Sequence, residues 1–241
     1  MPEPTPIGNE RTLADRAYRL LRQDIVEGKL EGGRKLKLEG LMADYSIGMS
    51  PLREALSRLT GDMLVVSEGQ RGYWVAPLSV EELDDISRVR ALLETEAINL
   101  SIRLGGKDWA EKVQLAFDEL RKVESELPQA DVPLPPELAN RWETKNRAFH
   151  AALVSACNSP WLMRVRDILY QQSERYRRVS LKVSRGRRSV HEEHAAIHEA
   201  AIKRDVLKAC RMTELHLQNT ADEVRRAMAS LRVSREADSE S

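Results

Sequence analysis

The sequence predicts a mainly α-helical protein in two unlike parts, a small N-terminal domain of short helices that ends in a β-hairpin and a C-terminal all-helical bundle. Three observations carry this reading. Nine of the twelve glycines lie at or before Gly72 and all five histidines at or after His150, so the parts differ in architecture and chemistry. Up to about Pro77, short apolar runs alternate with turn signals at Gly28, Gly32-Gly33, Gly40, Gly48, Gly61 and Gly69, which permit only short elements. Beyond it, apolar residues recur at three- and four-residue spacing over 80–104, 108–127, 137–157, 160–183 and 188–231, with breaks at Gly105-Gly106, Pro133-Leu134-Pro135-Pro136 and Ser159-Pro160. The expected organisation is a flexible N-terminus at 1–10, a first domain at 11–78, a helical domain at 79–231 and a flexible tail at 232–241.

In the first domain, Leu13, Ala17, Leu20, Leu21 and Ile25 share one face of a helix ending near Gly28. The Gly32-Gly33 turn and an apolar alternation at Leu36 and Leu38 lead to a second, short helix over Leu41–Tyr45. Ser46-Ile47-Gly48-Met49 then forces a turn. Ser50 is the expected N-cap of a third helix with Pro51 at its first position, where a missing N–H costs nothing. Leu52, Ala55, Leu56 and Leu59 turn inward, leaving Ser50, Arg53, Ser57 and Arg58 on the other face. Two short helices joined by a tight turn form a helix-turn-helix, which presents its second helix to the major groove of double-stranded DNA. Leu64-Val65-Val66 and Tyr73-Trp74-Val75 are strand-like, and the turn between them makes a wing. There Arg71 can reach phosphate or the minor groove, and Gly72 permits close backbone approach. Spacing alone also allows a small packing domain with Arg53 and Arg58 as solvated charges.

Composition bounds the partners. The 241 residues are 41% hydrophobic and 32% charged, with Lys+Arg and Asp+Glu both 38, so a uniformly basic coat protein is excluded. No apolar run approaches the roughly 18 residues of a spanning helix, and Met1–Pro6 lacks a signal-peptide pattern. Cys157 and Cys210 each sit in an apolar helical pattern, as buried thiols rather than a disulfide framework. A cytoplasmic protein without a membrane partner is expected.

The helical domain raises the question of a metal. His150 follows Asn146 by four residues, which puts both on one helix face, and His194 and His216 lie on the last two helices. Three imidazoles and an oxygen from facing helices can hold a divalent cation, zinc first and nickel or manganese as alternatives. Spacing alone does not select that site. His191 and His194 are three apart, not the four of a zinc-protease helix, and no histidine follows a glutamate by three, as a di-iron bundle requires. No phosphate loop or nucleophile motif occurs. Arg90 and Glu94 read equally as a surface i,i+4 pair, and Arg175-Tyr176-Arg177-Arg178 with Arg185-Gly186-Arg187-Arg188 as a basic concentration.

Asp24–Leu30, Gly33–Leu36, Ser50-Pro51-Leu52-Arg53-Glu54-Ala55-Leu56-Ser57-Arg58-Leu59 and Gly72–Val75 together resemble the winged-helix domain of the GntR family of bacterial transcription regulators. The resemblance implies that Arg53 and Ser50 contact DNA, alongside Arg58, Arg71 and Gly72 from the reading above. It departs at Glu39 and Met49, where members often carry arginine, so the usual operator does not follow. Asn146–Leu153, Glu193–Ile197, Ala201–Asp205, Ala209 and Met212–Leu217 resemble the FCD effector domain of the FadR subfamily, and the 22 residues from His194 to His216 fit its last two metal ligands. The implied ligands are Asn146, His150, His194 and His216. Asn146 stands for an aspartate, which removes a negative charge and should weaken the site or favour its completion by an anion. Val89–Glu94 resembles the first effector-domain helix, which gives Arg90 a place in the pocket; Arg177 is the second candidate to hold a carboxylate. Trp142 and Arg175-Tyr176-Arg177 bring the chain nearest to a carbon-starvation-induced, glutarate-sensing branch.

The implied protein is a homodimeric, DNA-binding transcription regulator of the repressor type, with an N-terminal winged helix-turn-helix and a C-terminal FCD-like bundle. A small organic acid, a dicarboxylate by analogy, would control its operator affinity from a metal-centred pocket. The alternatives are a metal-dependent enzyme acting on a small organic acid, with an accessory N-terminal domain, and an interaction scaffold with structural histidines.

Overall fold

The computed structural model describes residues 12–128, 130, 132–183 and 189–239. The segment 1–10 and the basic run 185–188 lie outside these residues. The chain divides into two compact units with the break between Leu78 and Ser79.

In the first unit, α1 (Leu13–Val26) starts where the Thr12 side chain accepts a hydrogen bond from the Asp15 N–H at 3.1 Å, satisfying one orphan donor. The chain leaves α1 through Gly28 at φ 69°, which glycine adopts without a Cβ clash. Helices α2 (Leu38–Tyr45) and α3 (Met49–Gly61) are joined by a turn in which Ser46 is left-handed. Helix α3 begins two residues before the expected Pro51 start, with Gly48 rather than Ser50 as N-cap, and Ser50 lies inside its first turn. The first turn has no carbonyl partners for its N–H groups, so proline is tolerated there at more than one position and marks the start only loosely. Strands β1 (Lys35–Leu36), β2 (Val65–Ser67) and β3 (Tyr73–Val75) form an antiparallel sheet in the order β1-β3-β2, with Leu36 opposite Tyr73 and Val66 opposite Trp74. Leu21, Ile25, Leu52, Leu56, Leu59, Leu64 and Val75 form the core, as the one-sided apolar spacing of α1 and α3 requires. Gly72 has φ 110°, a conformation that places glycine at the root of the wing.

The second unit is all helix: α4 (Val80–Leu104), α5 (Lys107–Glu124), α6 (Pro136–Leu153), α7 (Pro160–Val183), α8 (Val190–Ile202) and α9 (Val206–Ser239). Its core runs through Ile98, Ile102, Trp109, Val113, Leu120, Phe149, Leu153 and Ile197. Trp109 donates to the Leu153 carbonyl at 3.2 Å, and a Cβ on Gly105 would come within 2.6 Å of its ring, so the α4–α5 corner closes only over glycine. The periodic stretch 188–231 divides without Gly or Pro. Arg204 turns left-handed at φ 57°, the Asp205 N–H reaches the Ala200 carbonyl at 2.9 Å, and the Asp205 carboxylate caps the Lys208 N–H at 3.0 Å. Helix α9 extends through 232–239, a stretch with Arg, Glu and Ala and no breaker. Cys157 is buried and Cys210 half-buried, both free thiols. Among the described residues no helix is long and apolar enough to cross a membrane.

Candidate metal centre and DNA-binding surface

In the first unit, Ser50 and Arg53 are exposed on α3, with Met49 beside them and Glu39 exposed on α2. Arg71 projects from the wing tip, 3.8 Å from Glu68. Arg58 is differently placed. It donates to Asp15 at 2.8 Å and lies over the Tyr18 ring at 4.3 Å, so it clamps α3 to α1 while remaining partly exposed. Its guanidinium holds the Asp15 carboxyl below the ordinary aspartate value.

In the second unit, α6, α8 and α9 converge on three histidines. Ligand nitrogens of His150, His194 and His216 lie within 4.8 Å of one another, and all three side chains are buried. Asn146 sits one turn before His150 and is buried with it. Two carboxylates stand behind the rings: Glu124, at the end of α5, is 2.7 Å from His194 Nδ1, and Glu193 is 2.9 Å from His216 Nδ1. A carboxylate accepting from Nδ1–H fixes the tautomer that leaves the Nε2 lone pair for an ion. Burial holds His150 well below the ordinary imidazole value, so it is neutral and able to ligate.

Two buried polar atoms in this cluster have no hydrogen-bond partner: Nε2 of His194 and Oδ1 of Asn146. Leaving such atoms unpaired costs about 1–3 kcal/mol each. Both are lone-pair donors, and the Asn146 amide nitrogen donates to the Tyr170 hydroxyl at 3.2 Å. Three imidazole nitrogens and an amide oxygen suit a borderline divalent ion. The other histidines stand apart: His191 is half-exposed on the second oxygen of Glu124, and His198 stacks on Phe117 with ring centroids 4.2 Å apart.

Next to Asn146 lies a cluster of buried charge centred on Tyr170. The guanidiniums of Arg90, Arg177, Arg147 and Arg166 lie 4.6, 5.1, 5.2 and 5.4 Å from its ring centroid. Arg90 does pair with Glu94, at 3.2 Å, but the pair is buried, not on the surface. The other Glu94 oxygen accepts from Arg166 at 2.9 Å. Arg177 makes a two-point bond to Glu143, at 3.1 and 2.9 Å, whose charge helps hold its guanidinium protonated against burial. Asn146, His216 and Arg177 line a cavity of about 30 Å³; Arg90 is not in its wall. A larger groove of about 600 Å³ lies between α4 and α9, and none of the histidines lines it.

Glu124, Glu193 and Tyr170 were not among the residues expected from the sequence. Glu193 precedes His194 but binds His216, so adjacency conceals its partner, and Glu124 is 70 residues from His194.

A winged helix-turn-helix followed by a helical domain with a buried histidine cluster is an arrangement suited to a transcription regulator with a sensory domain. Residues 13–75 match the model of the gntR family of bacterial regulatory proteins, and 85–219 match the FCD domain. The chain belongs to the GntR family of bacterial transcriptional regulators and carries an FCD effector-binding domain. It is 39% identical over 222 residues to the regulator BphR of Paraburkholderia xenovorans LB400, covering 92% of this chain and 89% of that one. It is 33% identical to the transcriptional repressor GlaR of Escherichia coli K12, covering 88% and 96%, which supports a place in the GlaR-type branch. The solved structure of E. coli McbR shares the fold, with a TM-score of 0.71 at 19% identity over 89% of this chain and 98% of that one. These relatives are named as transcription regulators, and the reading as a metal-dependent enzyme is set aside on that ground.

Proposed function

We propose that this regulator is a homodimeric, cytoplasmic repressor whose operator affinity is set by a short organic acid, a dicarboxylate first, bound at a divalent metal centre in the helical domain. Asn146, His150, His194 and His216 would hold the ion, with zinc preferred. The observation that carries the reading is the pairing of three clustered histidines with two unpartnered buried lone pairs, beside a cavity that Arg177 lines. When bound, the ion supplies a Lewis-acid position for a carboxylate oxygen.

The chain's own residues do the rest. Glu124 and Glu193 orient the imidazoles, and Arg177 offers a fork matched to a second carboxylate. Its present partner Glu143 is a carboxylate too, so an acid would take Arg177 by exchanging like for like. The 30 Å³ cavity has room for little more than solvent, so α6 and α7, which carry Glu143 and Arg177, must part to admit the acid. Acid binding then favours the arrangement that accommodates it, and operator affinity changes only as far as the two arrangements differ in affinity for the acid. Two copies would place two α3 helices on a two-fold operator, with Ser50, Arg53 and Arg71 as contacts and Arg58 and Gly72 as supports. Exposed apolar side chains on α4 (Leu92) and α7 (Trp161, Val165) favour a second copy as their cover. The name of GlaR favours repression over activation.

The test is metal analysis of purified protein and of His150→Ala, with gel shifts on the protein's own operator with and without dicarboxylates. Absence of metal in both proteins would remove the centre, and an operator affinity indifferent to every acid would remove the effector.

A further inference from the structure

In the first unit, carboxylates already hold several of the basic side chains: Lys29 lies 3.1 Å from Asp24 and 2.9 Å from Glu27, Arg58 is held by Asp15, and Arg71 stands 3.8 Å from Glu68. Lys35 and Lys37 are different. Both are exposed, and among the described residues neither makes an ion pair, with the exposed Glu39 or with any other carboxylate. Leu36 between them is buried and the backbone is extended, so both lysine side chains leave by the outer side where β1 runs into α2. Lys35 is also aimed. It pairs across the ladder with Trp74, its Nζ lies 4.9 Å from the centroid of that ring, and a Cβ on Gly72 would stand 3.9 Å from its Cε. The stem therefore passes beside the bare root of the wing, and the ring restricts a long side chain that would otherwise lose its freedom on binding. Lys35 stands at the wing root and Lys37 at the start of the helix-turn-helix, both without a counterion. An exposed ammonium of this kind binds any phosphodiester within reach and releases condensed ions from the duplex in doing so.

We infer that Lys35 and Lys37 are phosphate contacts of the DNA-binding domain, set between the wing and the first helix of the helix-turn-helix, and that Trp74 positions Lys35 for that contact. The partner is the phosphodiester backbone of duplex DNA, bound without regard to sequence. The inference rests on the reading that brings Arg71 and Gly72 to the operator, and it separates two tasks on this domain. Arg53 on the recognition helix serves base discrimination, whereas the lysine pair supplies affinity and its salt dependence. Each phosphate neutralised contributes about 0.9 to the slope of log affinity against log salt, which at about 0.1 M amounts to about 8-fold in affinity.

The experiment is fluorescence anisotropy of the full-length protein on two labelled duplexes of equal length, an operator fragment recovered by footprinting and an unrelated sequence, from about 50 to 200 mM salt. Lys35→Ala combined with Lys37→Ala should weaken binding to both duplexes alike. For each bound copy the loss should be about 8-fold per lysine at about 0.1 M salt, and the slope should flatten by about 0.9 per lysine. Lys35→Arg with Lys37→Arg, which keeps both charges, should keep the slope. Trp74→Leu should lower affinity for both duplexes by about 2- to 5-fold, the worth of an exposed cation–π contact, and Trp74→Tyr should restore most of it. Wild-type affinity in Trp74→Leu overturns the positioning role. A loss in the lysine variant confined to the operator overturns the phosphate assignment, because a base contact is then what was removed. Wild-type affinity and slope in the lysine variant, with Arg71→Ala weakened, overturn the inference alone; wild-type behaviour in both also takes the wing off the DNA and removes the reading beneath it. Both lysines are exposed, so alanine leaves the core intact, and Lys35→Gln with Lys37→Gln, which keeps the stems, decides the same question if the alanine protein fails to fold.

Discussion

Glu124→Gln is the sharpest perturbation of the proposed centre, because it keeps the volume of a buried side chain and removes only charge and one acceptor. In the wild type one carboxylate oxygen is 2.7 Å from His194 Nδ1 and the other 2.9 Å from His191 Nδ1. Burial alone would raise this carboxyl, yet the hydrogen bonds from His194 and His191 carry it below the usual glutamate value, so it is an anion that accepts from both rings. Glutamine has one acceptor oxygen. If that oxygen stays on His194, the tautomer survives and the ring loses only basicity. If the amide nitrogen turns to His194, the ring must carry its proton on Nε2 and loses the lone pair an ion needs. Losing a carboxylate behind a metal-binding histidine costs about 10- to 100-fold in metal affinity, or about 1.4–2.7 kcal/mol. Zinc titration against a chelator measures this directly. His191→Ala is the control, since it removes a half-exposed partner of Glu124 and should change affinity by less than about 3-fold. A folded Glu124→Gln protein binding zinc within about twofold of wild type would refute the orientation of His194 by Glu124.

Arg53→Ala should weaken specific operator binding by about 1–3 kcal/mol in gel shifts at fixed salt, and unchanged affinity would take Arg53 out of the interface. Gly105→Ala should destabilise the helical domain by about 1–3 kcal/mol in urea unfolding, since its Cβ would meet the Trp109 ring and the Ser101 carbonyl at 2.6 Å; wild-type stability would mean the corner has slack. In protein stripped of metal, His150 stays neutral when folded while the unfolded chain takes a proton at about pH 6.5, so the unfolded state binds more protons below that pH. Stability should therefore fall as pH drops through about 6.5, by up to about 1.4 kcal/mol per unit, and His150→Phe should remove that slope; an equal slope in both would contradict the buried neutral imidazole.

What the sequence discloses depends on how locally each feature is determined. Helix α4 runs over the expected residues because both ends are local: Ser79 caps the Glu82 N–H at 3.1 Å, and Gly105-Gly106 breaks the period. The start of α3 was misplaced because Pro51 is compatible with more than one position in a first turn. The i,i+4 spacings of Asn146 with His150 and of Arg90 with Glu94 were legible, whereas the burial of the second pair was not, because Tyr170 and Arg166 reach it from α7. Glu124 and Glu193 escaped for the same reason, since only tertiary packing determines which histidine a carboxylate finds.

The balanced formal charge also reads differently once the charges are placed. Lys+Arg and Asp+Glu are both 38, which on the sequence alone spoke only against nonspecific attraction to polyanions. In the folded chain Arg90, Arg166 and Arg177 are buried against Glu94 and Glu143, so they contribute nothing to the field a DNA backbone meets. On the proposed reading face, Arg53 and Arg71 stand among Glu39, Glu54 and Glu68, all exposed, so charges of both signs face the operator there. For the proposed homodimer, operator affinity would then depend on placed contacts and on whether two reading helices are held at the operator spacing. A sensor that shifts helix positions by a small amount would act on that second condition, without touching a single DNA contact. The buried cluster is suited to this, because its ion pairs bridge α4 to α7 and α6 to α7, and exchanging Glu143 for a ligand carboxylate alters a contact between helices rather than a loop.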